Sequence, residues 1–145
     1  MINKKNLLIL ASAAILLCSC GVQTAKPLYS WGWYQDSIYS FYKDQTPESV
    51  CNLVAAYEEI VSHPTGSRMV PPPGICAEYA FLLQKPETAA AFRDHATKQQ
   101  RKLFEGDDYE HLFREKALDL LKKEVELYPE SEKFIKAIAK SMTGE

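Results

Sequence analysis

Residues 46–62 read TPESVCNLVAAYEEIVS, and this stretch decides the fold. Thr46 suits the cap of a helix, Pro47 is tolerated at the first helical position, and Glu48 complements the positive end of the helix dipole. Apolar residues then recur every three or four positions, which is the period of one helix face: Val50, Leu53, Val54, Tyr57, Ile60 and Val61. The stretch therefore predicts an amphipathic helix that ends at His63-Pro64.

The same helical period recurs on both sides of this stretch. Further helices are predicted before it from Trp31 to Tyr42, and after it over about 75–84, from Pro86 towards Leu103, from about 109 to Tyr128, and from Ser131 onward. No segment shows a convincing strand pattern, and the helices are joined by short links. We therefore predict an all-α fold of stacked antiparallel helical hairpins.

Composition narrows the function classes. The chain has 145 residues, 46% hydrophobic and 25% charged, with a net charge of −2. These values are ordinary for one globular domain and exclude a disordered or collagen-like chain. The mild negative charge argues against nucleic acid as a partner.

The first twenty residues have the pattern of a lipoprotein signal. Lys4 and Lys5 precede an uncharged run of 11 apolar residues, 7–17, whereas a membrane-spanning helix needs about 20. Leu17-Cys18-Ser19-Cys20 resembles a bacterial lipobox with a small residue just before Cys20. The lipobox implies cleavage after residue 19 and lipidation of Cys20, so that the acylated Cys20 binds the lipid bilayer. The alternative is an ordinary signal peptide with an incidental Cys pair, or an uncleaved apolar tail.

Cleavage would change the totals and divide the chain. Removal of residues 1–19 leaves 126 of 145 residues and takes away two of the 17 basic side chains, so the net charge falls from −2 to −4. We expect a lipidated Cys and tether over 20–28, followed by a helical domain over 29–143. Gly21, rather than Asp, favours sorting to the outer membrane, with the domain facing the periplasm.

Cys51 and Cys76 remain after processing, and an oxidising periplasm would permit a disulfide between them. Cys51 lies near the start of its helix, whereas Cys76 opens the next one. Antiparallel packing then places the two at opposite ends, so two buried thiols are the favoured alternative. The histidines, His63, His95 and His111, have no ligand spacing for a helical metal site, and we predict no cofactor and no catalytic residue.

Aromatic residues are concentrated just after the tether. Trp31, Trp33 and Tyr34 are candidates for partner binding, together with Tyr79 and Tyr128 if these two prove exposed. The alternative interpretation is that the aromatic stripe simply packs on the core, and the helical spacing favours that alternative.

Two resemblances follow from longer patterns. Residues 106–110 (GDDYE), Ala117, Leu121 and 126–131 (ELYPES) resemble the second helix of a tetratricopeptide repeat and its exit. The stretch is too long for one repeat, which suggests an insertion over 85–113.

Five motifs occur in order, and together they resemble a small bacterial outer-membrane lipoprotein family, domain of unknown function four-eight-ten: 28–34 (LYSWGWY), 39–44 (YSFYKD), 47–49 (PES), 70–80 (VPPPGICAEYA) and 127–131 (LYPES). The resemblance implies a tetratricopeptide-like lipoprotein in an envelope complex. The implied partners are other lipoproteins, among them one like the curli secretion channel.

The favoured hypothesis is therefore a lipid-anchored, non-enzymatic protein-interaction module. The alternative is an enzyme, or an enzyme regulator, that acts on peptidoglycan. An enzyme would need a deep pocket with convergent titratable groups, whereas an interaction module would show an open groove or a large apolar patch.

Overall fold

The computed structural model describes the backbone of residues 25–143 and the side chains of residues 25–140. This part of the chain contains no β-strand, which confirms the all-α prediction. Its elements are α1 (Tyr34–Asp44), α2 (Pro47–Ser62), α3 (Ile75–Gln84), α4 (Pro86–His95), α5 (Lys98–Arg101), α6 (Tyr109–Leu127), a 3₁₀ turn (Pro129–Ser131) and α7 (Glu132–Thr143).

The start of α2 matches the sequence prediction. The Thr46 hydroxyl accepts a hydrogen bond from the backbone N–H of Ser49, and the Ser49 hydroxyl accepts one from the backbone N–H of Thr46. This reciprocal capping box satisfies two N–H groups that a helix start otherwise leaves without partners. Pro47 occupies the first turn, where its missing N–H costs nothing.

Helix α2 lies at the centre of the fold and packs against α1, α3 and α4, while α6 packs against α3, α4 and α7. Helices α2 and α4 run antiparallel. The Cys51 thiol, early in α2, meets the Ala91 carbonyl in α4, and Glu48 meets His95 at the end of α4. The tetratricopeptide-like description of this arrangement stays a prediction.

The segment after Pro86 differs from the single helix that the sequence predicts. Helix α4 ends at His95, and a new capping box at Thr97 and Gln100 begins the short α5. The Arg101 guanidinium turns back and donates hydrogen bonds to the carbonyls of Ala96 and Arg93. These bonds satisfy carbonyls that the end of α4 leaves free, so the break is stabilised from both sides.

The tether is fixed to the loop between α2 and α3. The backbone N–H groups of Ser67 and Arg68 donate to the carbonyls of Pro27 and Leu28 at 3.0 and 3.1 Å. Gly66 has φ +99°, and a Cβ there would lie 2.7 Å from the Leu28 carbonyl oxygen. The close approach of the two chains therefore requires glycine.

The predicted signal peptide 1–19, Cys18, Cys20 and the first part of the tether lie outside the described residues. Among the helices that the structure does describe, none has the length and apolarity to cross a bilayer.

Candidate functional site

The structure divides the five predicted contact residues into two groups. Trp31 and Trp33 have 40% and 46% of their surface exposed, and Tyr34 is partly buried. Tyr79 and Tyr128 are buried, so the condition on which they were candidates is not met.

The hydrogen bonds of the Tyr79 and Tyr128 hydroxyl groups explain why these two side chains can be buried. The Tyr79 hydroxyl donates to Glu58 at 2.8 Å, and the Tyr128 hydroxyl donates to the Pro71 carbonyl. A buried hydroxyl needs such a partner. Both side chains therefore cross-link elements inside the fold. The prediction of Tyr79 and Tyr128 as contact residues is corrected: they are core residues.

Four rings form a ladder from the surface to the core. Trp31 packs on Tyr34, Tyr34 on Tyr57, and Tyr57 on Tyr79, with ring centroids 5.6, 5.3 and 5.2 Å apart. The last pair is stacked, with an angle of 11° between ring planes. Such aromatic pairs add roughly 0.5–1.5 kcal/mol beyond their burial. The ladder thus connects Tyr34, at the edge of the surface, to the core.

Two adjacent Tyr–Glu pairs cross-link α2 and α3. The Tyr57 hydroxyl donates to Glu78 at 3.0 Å, and the Tyr79 hydroxyl donates to Glu58. Glu78 also accepts a bond from the Tyr34 hydroxyl at 2.7 Å, so it joins α1 to the same cluster. One carboxylate thus organises three helices at the surface.

Glu58 lies inside the fold and has a different set of partners. Its side chain is 7% exposed and forms an ion pair with Lys116 of α6 at 2.9 Å. It also accepts a hydrogen bond from the Ser62 hydroxyl at 2.6 Å. A buried carboxylate needs this many partners to offset its loss of hydration.

The surface between α1 and α3 is an open groove of about 390 Å³, which we call the aromatic groove. Exposed Phe81 and Tyr42 stand at its rim, with 42% and 69% of their surface accessible. Its lining residues are Tyr34, Ile38, Phe41, Tyr42, Leu53, Tyr57, Glu78, Phe81, Leu82 and Lys85.

The aromatic groove carries one acidic and one basic side chain. Lys85 places its ammonium 6.0 Å from the centre of the Phe41 ring, within cation–π range. Partial burial raises the pKa of the Tyr34 phenol, and Glu78 adds to the rise. Burial also raises the pKa of Tyr57. Both phenols therefore stay protonated and donate to the exposed Glu78 carboxylate.

Comparison with known proteins gives one match. The model of a domain of unknown function, DUF4810, matches residues 28–109, which is more than half of the chain. The chain belongs to the DUF4810 family. No curated protein and no solved structure shows significant similarity to it.

The DUF4810 match contains every residue that lines the aromatic groove, whereas Lys116, the ion-pair partner of Glu58, lies beyond it. The match also runs through residues 85–109, most of the segment interpreted as an insertion, and that interpretation stays a prediction.

Cys51 and Cys76 are buried and unpaired, so the possible disulfide between them is not formed. Cys51 lies on the side of α2 that meets α4. Cys76 lies close enough to Glu124 of α6 for the glutamate charge to raise the pKa of its thiol. Burial raises the pKa of Cys51 to about 11 and that of Cys76 to about 12. The thiols are therefore protonated at neutral pH and are poor nucleophiles.

Each histidine lies beside a different glutamate. His63 meets Glu59 at 3.4 Å, His95 meets Glu48 at 3.1 Å, and His111 meets Glu115 at 3.4 Å. His63 also closes α2, where its backbone N–H donates to the Glu59 carbonyl. Within the described residues, no group of three or more potential ligands could hold a metal ion.

Of the ten residues that line the aromatic groove, only Tyr34 was among the predicted contact residues, and the nine others include Glu78, Phe81 and Lys85. A signal was present for Phe81. It falls outside the inward stripe of α3, which contains Ile75, Tyr79 and Leu82, and an aromatic residue off that stripe is expected at the surface. Glu78 carried no such signal because its tyrosine partners come from two other helices.

Proposed function

We propose that this chain is a lipid-anchored module that binds a segment of another envelope protein in the aromatic groove. The observation that supports the proposal is the open groove itself, with Phe81 and Tyr42 exposed at its rim. Large apolar side chains grouped in a concave surface commonly mark an interaction site. The ladder and the Glu78 hydrogen bonds preorganise the walls, which lowers the entropy cost of binding.

The chemistry of the aromatic groove suits a peptide segment. Phe81 and Phe41 offer rings for apolar side chains. Glu78 has acceptor capacity for backbone N–H groups or a basic side chain, and Lys85 can meet a carbonyl or carboxylate. Helical grooves of this kind accept an extended segment or an amphipathic helix through a few apolar anchors.

The proposed anchor would keep the groove close to the bilayer. Seven residues, 21–27, lie between Cys20 and Leu28, and Leu28 is held by the loop after α2. A fully extended chain spans at most about 3.6 Å per residue, so the start of the domain at Leu28 would stay within roughly 30 Å of the membrane. This reach favours partners on the same membrane, namely other outer-membrane lipoproteins, including one like the curli secretion channel.

Phe81→Ala tests the binding site. Tagged full-length chain is isolated from crosslinked envelopes, and the co-isolated lipoproteins are quantified. We expect Phe81→Ala to lose most of the partner because an exposed aromatic anchor is removed. Phe134→Ala is the matched control, since Phe134 is 64% exposed on α7 and lies away from the groove. Equal recovery with both variants would contradict the proposal.

Cys20→Ser tests the anchor separately. Without the thiol no lipid can be attached, so we expect the chain to move from the membrane fraction to the soluble periplasmic fraction. Unchanged membrane association would show that Cys20 is not the anchor. That result would not bear on the proposal that the aromatic groove binds a partner.

A further inference from the structure

A second groove, of about 400 Å³, lies on a different face of α2 and reaches α5. We call it the amide groove, because Asn52, Gln99 and Gln100 line it. Trp33 stands at one edge and Leu103 at another, and both are exposed. Its volume lies within the usual range for small-ligand sites, about 300–1,000 Å³.

Hydrogen bonds hold the side chains of Asn52 and Gln100 in place. The Gln100 side-chain N–H donates to the side-chain oxygen of Asn52 (Oδ1) at 2.9 Å, and the side-chain oxygen of Gln100 (Oε1) accepts from the Thr97 backbone N–H at 2.8 Å. Both polar atoms of Gln100 are therefore engaged. The Asn52 NH₂ group and the Gln99 amide stay available to a ligand.

The apolar surfaces complement these amides. Trp33 offers an indole ring, and Leu103 offers an aliphatic contact across the groove. Ala55 forms part of the lining, and its small side chain leaves the room that a larger residue would fill. The groove thus combines a flat aromatic surface with fixed, uncharged hydrogen-bonding groups.

The charges narrow the ligand class. In the part of the chain that the structure describes, no Lys or Arg lines the amide groove. A phosphate or carboxylate ligand would find no cation there. The one charged lining residue, Glu59, meets His63 at 3.4 Å. The charges therefore argue against an anionic ligand, while the amides, Trp33 and Leu103 match an uncharged polar ligand with apolar faces.

We propose that the amide groove binds an uncharged oligosaccharide of N-acetylated amino sugars. The C–H groups on one face of a pyranose ring would pack on the indole of Trp33, whose face is electron-rich. An acetamido group would exchange hydrogen bonds with the Asn52 and Gln99 amides, and its methyl group would contact Leu103. This site is separate from the aromatic groove.

The two tryptophans of the chain make a direct test possible. In a full-length Trp31→Phe variant, only Trp33 emits indole fluorescence. We expect titration with the trimer of N-acetylglucosamine to shift this emission to shorter wavelength in a saturable manner, because the sugar excludes water from the indole. No change of emission up to saturating trimer would overturn the proposal.

Variants of the groove sharpen the test. In the Trp31→Phe background, Asn52→Ala should weaken binding about 3- to 10-fold, the effect of one neutral hydrogen bond. Phe81→Ala should leave trimer binding unchanged, so failure of this site and failure of the aromatic groove can be distinguished. If the Asn52→Ala variant binds the trimer with the same affinity as its Trp31→Phe parent, the Asn52 amide does not contact the ligand and the proposal is wrong.

Discussion

Glu58 and Glu78 form the same kind of Tyr–Glu hydrogen bond, one inside the fold and one at the surface. Each is a glutamate beside a tyrosine in sequence, and each accepts a hydrogen bond from the tyrosine of the other pair. Glu58 is buried and neutralised by Lys116. Glu78 is exposed in the aromatic groove, with two phenols as its partners.

The difference in burial between Glu58 and Glu78 gives the same Tyr–Glu hydrogen bond two different roles. The Glu58 carboxylate has an ammonium, a phenol and a serine hydroxyl around it, so its capacity is used inside the fold. Glu78 keeps acceptor capacity that faces solvent. We infer that the Glu58 side stabilises the fold and that the Glu78 side is available to a partner.

The largest expected effect is on stability at Glu58. Glu58→Ala leaves Lys116 without its carboxylate and Tyr79 without its acceptor, so we expect a loss of about 3 kcal/mol in the free energy of unfolding. This is the lower end of the range for buried pairs, because Lys116 is partly exposed. Urea denaturation measures the loss.

Glu78→Ala is the matched control for Glu58→Ala. It removes two hydrogen bonds at an exposed carboxylate, and we expect a loss below about 1 kcal/mol. Equal losses for the two variants would break the distinction between a buried and an open cross-link.

The buried thiols of Cys51 and Cys76 give the next largest expected effect, a dependence of stability on pH. Their raised pKa values mean that the unfolded chain releases these protons near pH 9.0, while the folded chain keeps them to about pH 11 or 12. Stability is therefore fully present below pH 9 and falls as pH rises towards 11, by on the order of 2 kcal/mol per thiol.

The double variant Cys51→Ala/Cys76→Ala serves as the comparison. Its unfolding free energy, measured by urea titration at several pH values between 8 and 11, should fall less steeply than that of the parent chain. Parallel pH curves would show that the thiols are not protected in the folded state.

Tyr79→Phe and Tyr57→Phe compare the two phenols directly. We expect Tyr79→Phe to cost about 1–2 kcal/mol, because Glu58 loses a buried donor. Tyr57→Phe should cost less, because Tyr34 and solvent still satisfy Glu78. Thermal unfolding of both variants provides the measurement, and a larger loss for Tyr57→Phe would reverse the assignment of the two sides.

The smallest effect on stability is expected at Phe81. Its ring is 42% exposed, so Phe81→Ala should change the free energy of unfolding by about 0.5 kcal/mol or less. A loss above 2 kcal/mol in urea denaturation would mean that Phe81 is a core residue and not an exposed anchor.

Local patterns predicted the helices well. The bounds of α3 follow the prediction, and the capped start of α2 lies where Thr46-Pro47 indicates. These features depend on residues a few positions apart, which the sequence displays directly. The break between α4 and α5 was not predicted, although the capping pair Thr97 and Gln100 that begins α5 is also visible in the sequence.

Features that depend on distant contacts were not predictable. Glu58 pairs with a lysine 58 positions away, and Glu124 accepts from the Gly74 N–H across 50 positions. Nothing near Tyr79 or Tyr128 in sequence reveals that their hydroxyls find partners inside the fold. Trp31 and Trp33 are exposed, although the helical spacing favoured packing of the aromatic stripe on the core, and their role in partner binding stays a prediction. The aromatic groove itself depends on the packing of α1 on α2 and α3.

The most direct test of the central claim places a photocrosslinking amino acid at position 81 of the full-length chain in intact cells. A second chain carries it at position 134, which is more exposed than position 81 but lies outside the aromatic groove. We expect irradiation to join an envelope lipoprotein to the chain from position 81 and not from position 134. Crosslinks of equal yield from both positions, or from position 134 alone, would contradict the assignment of the aromatic groove as the partner-binding site.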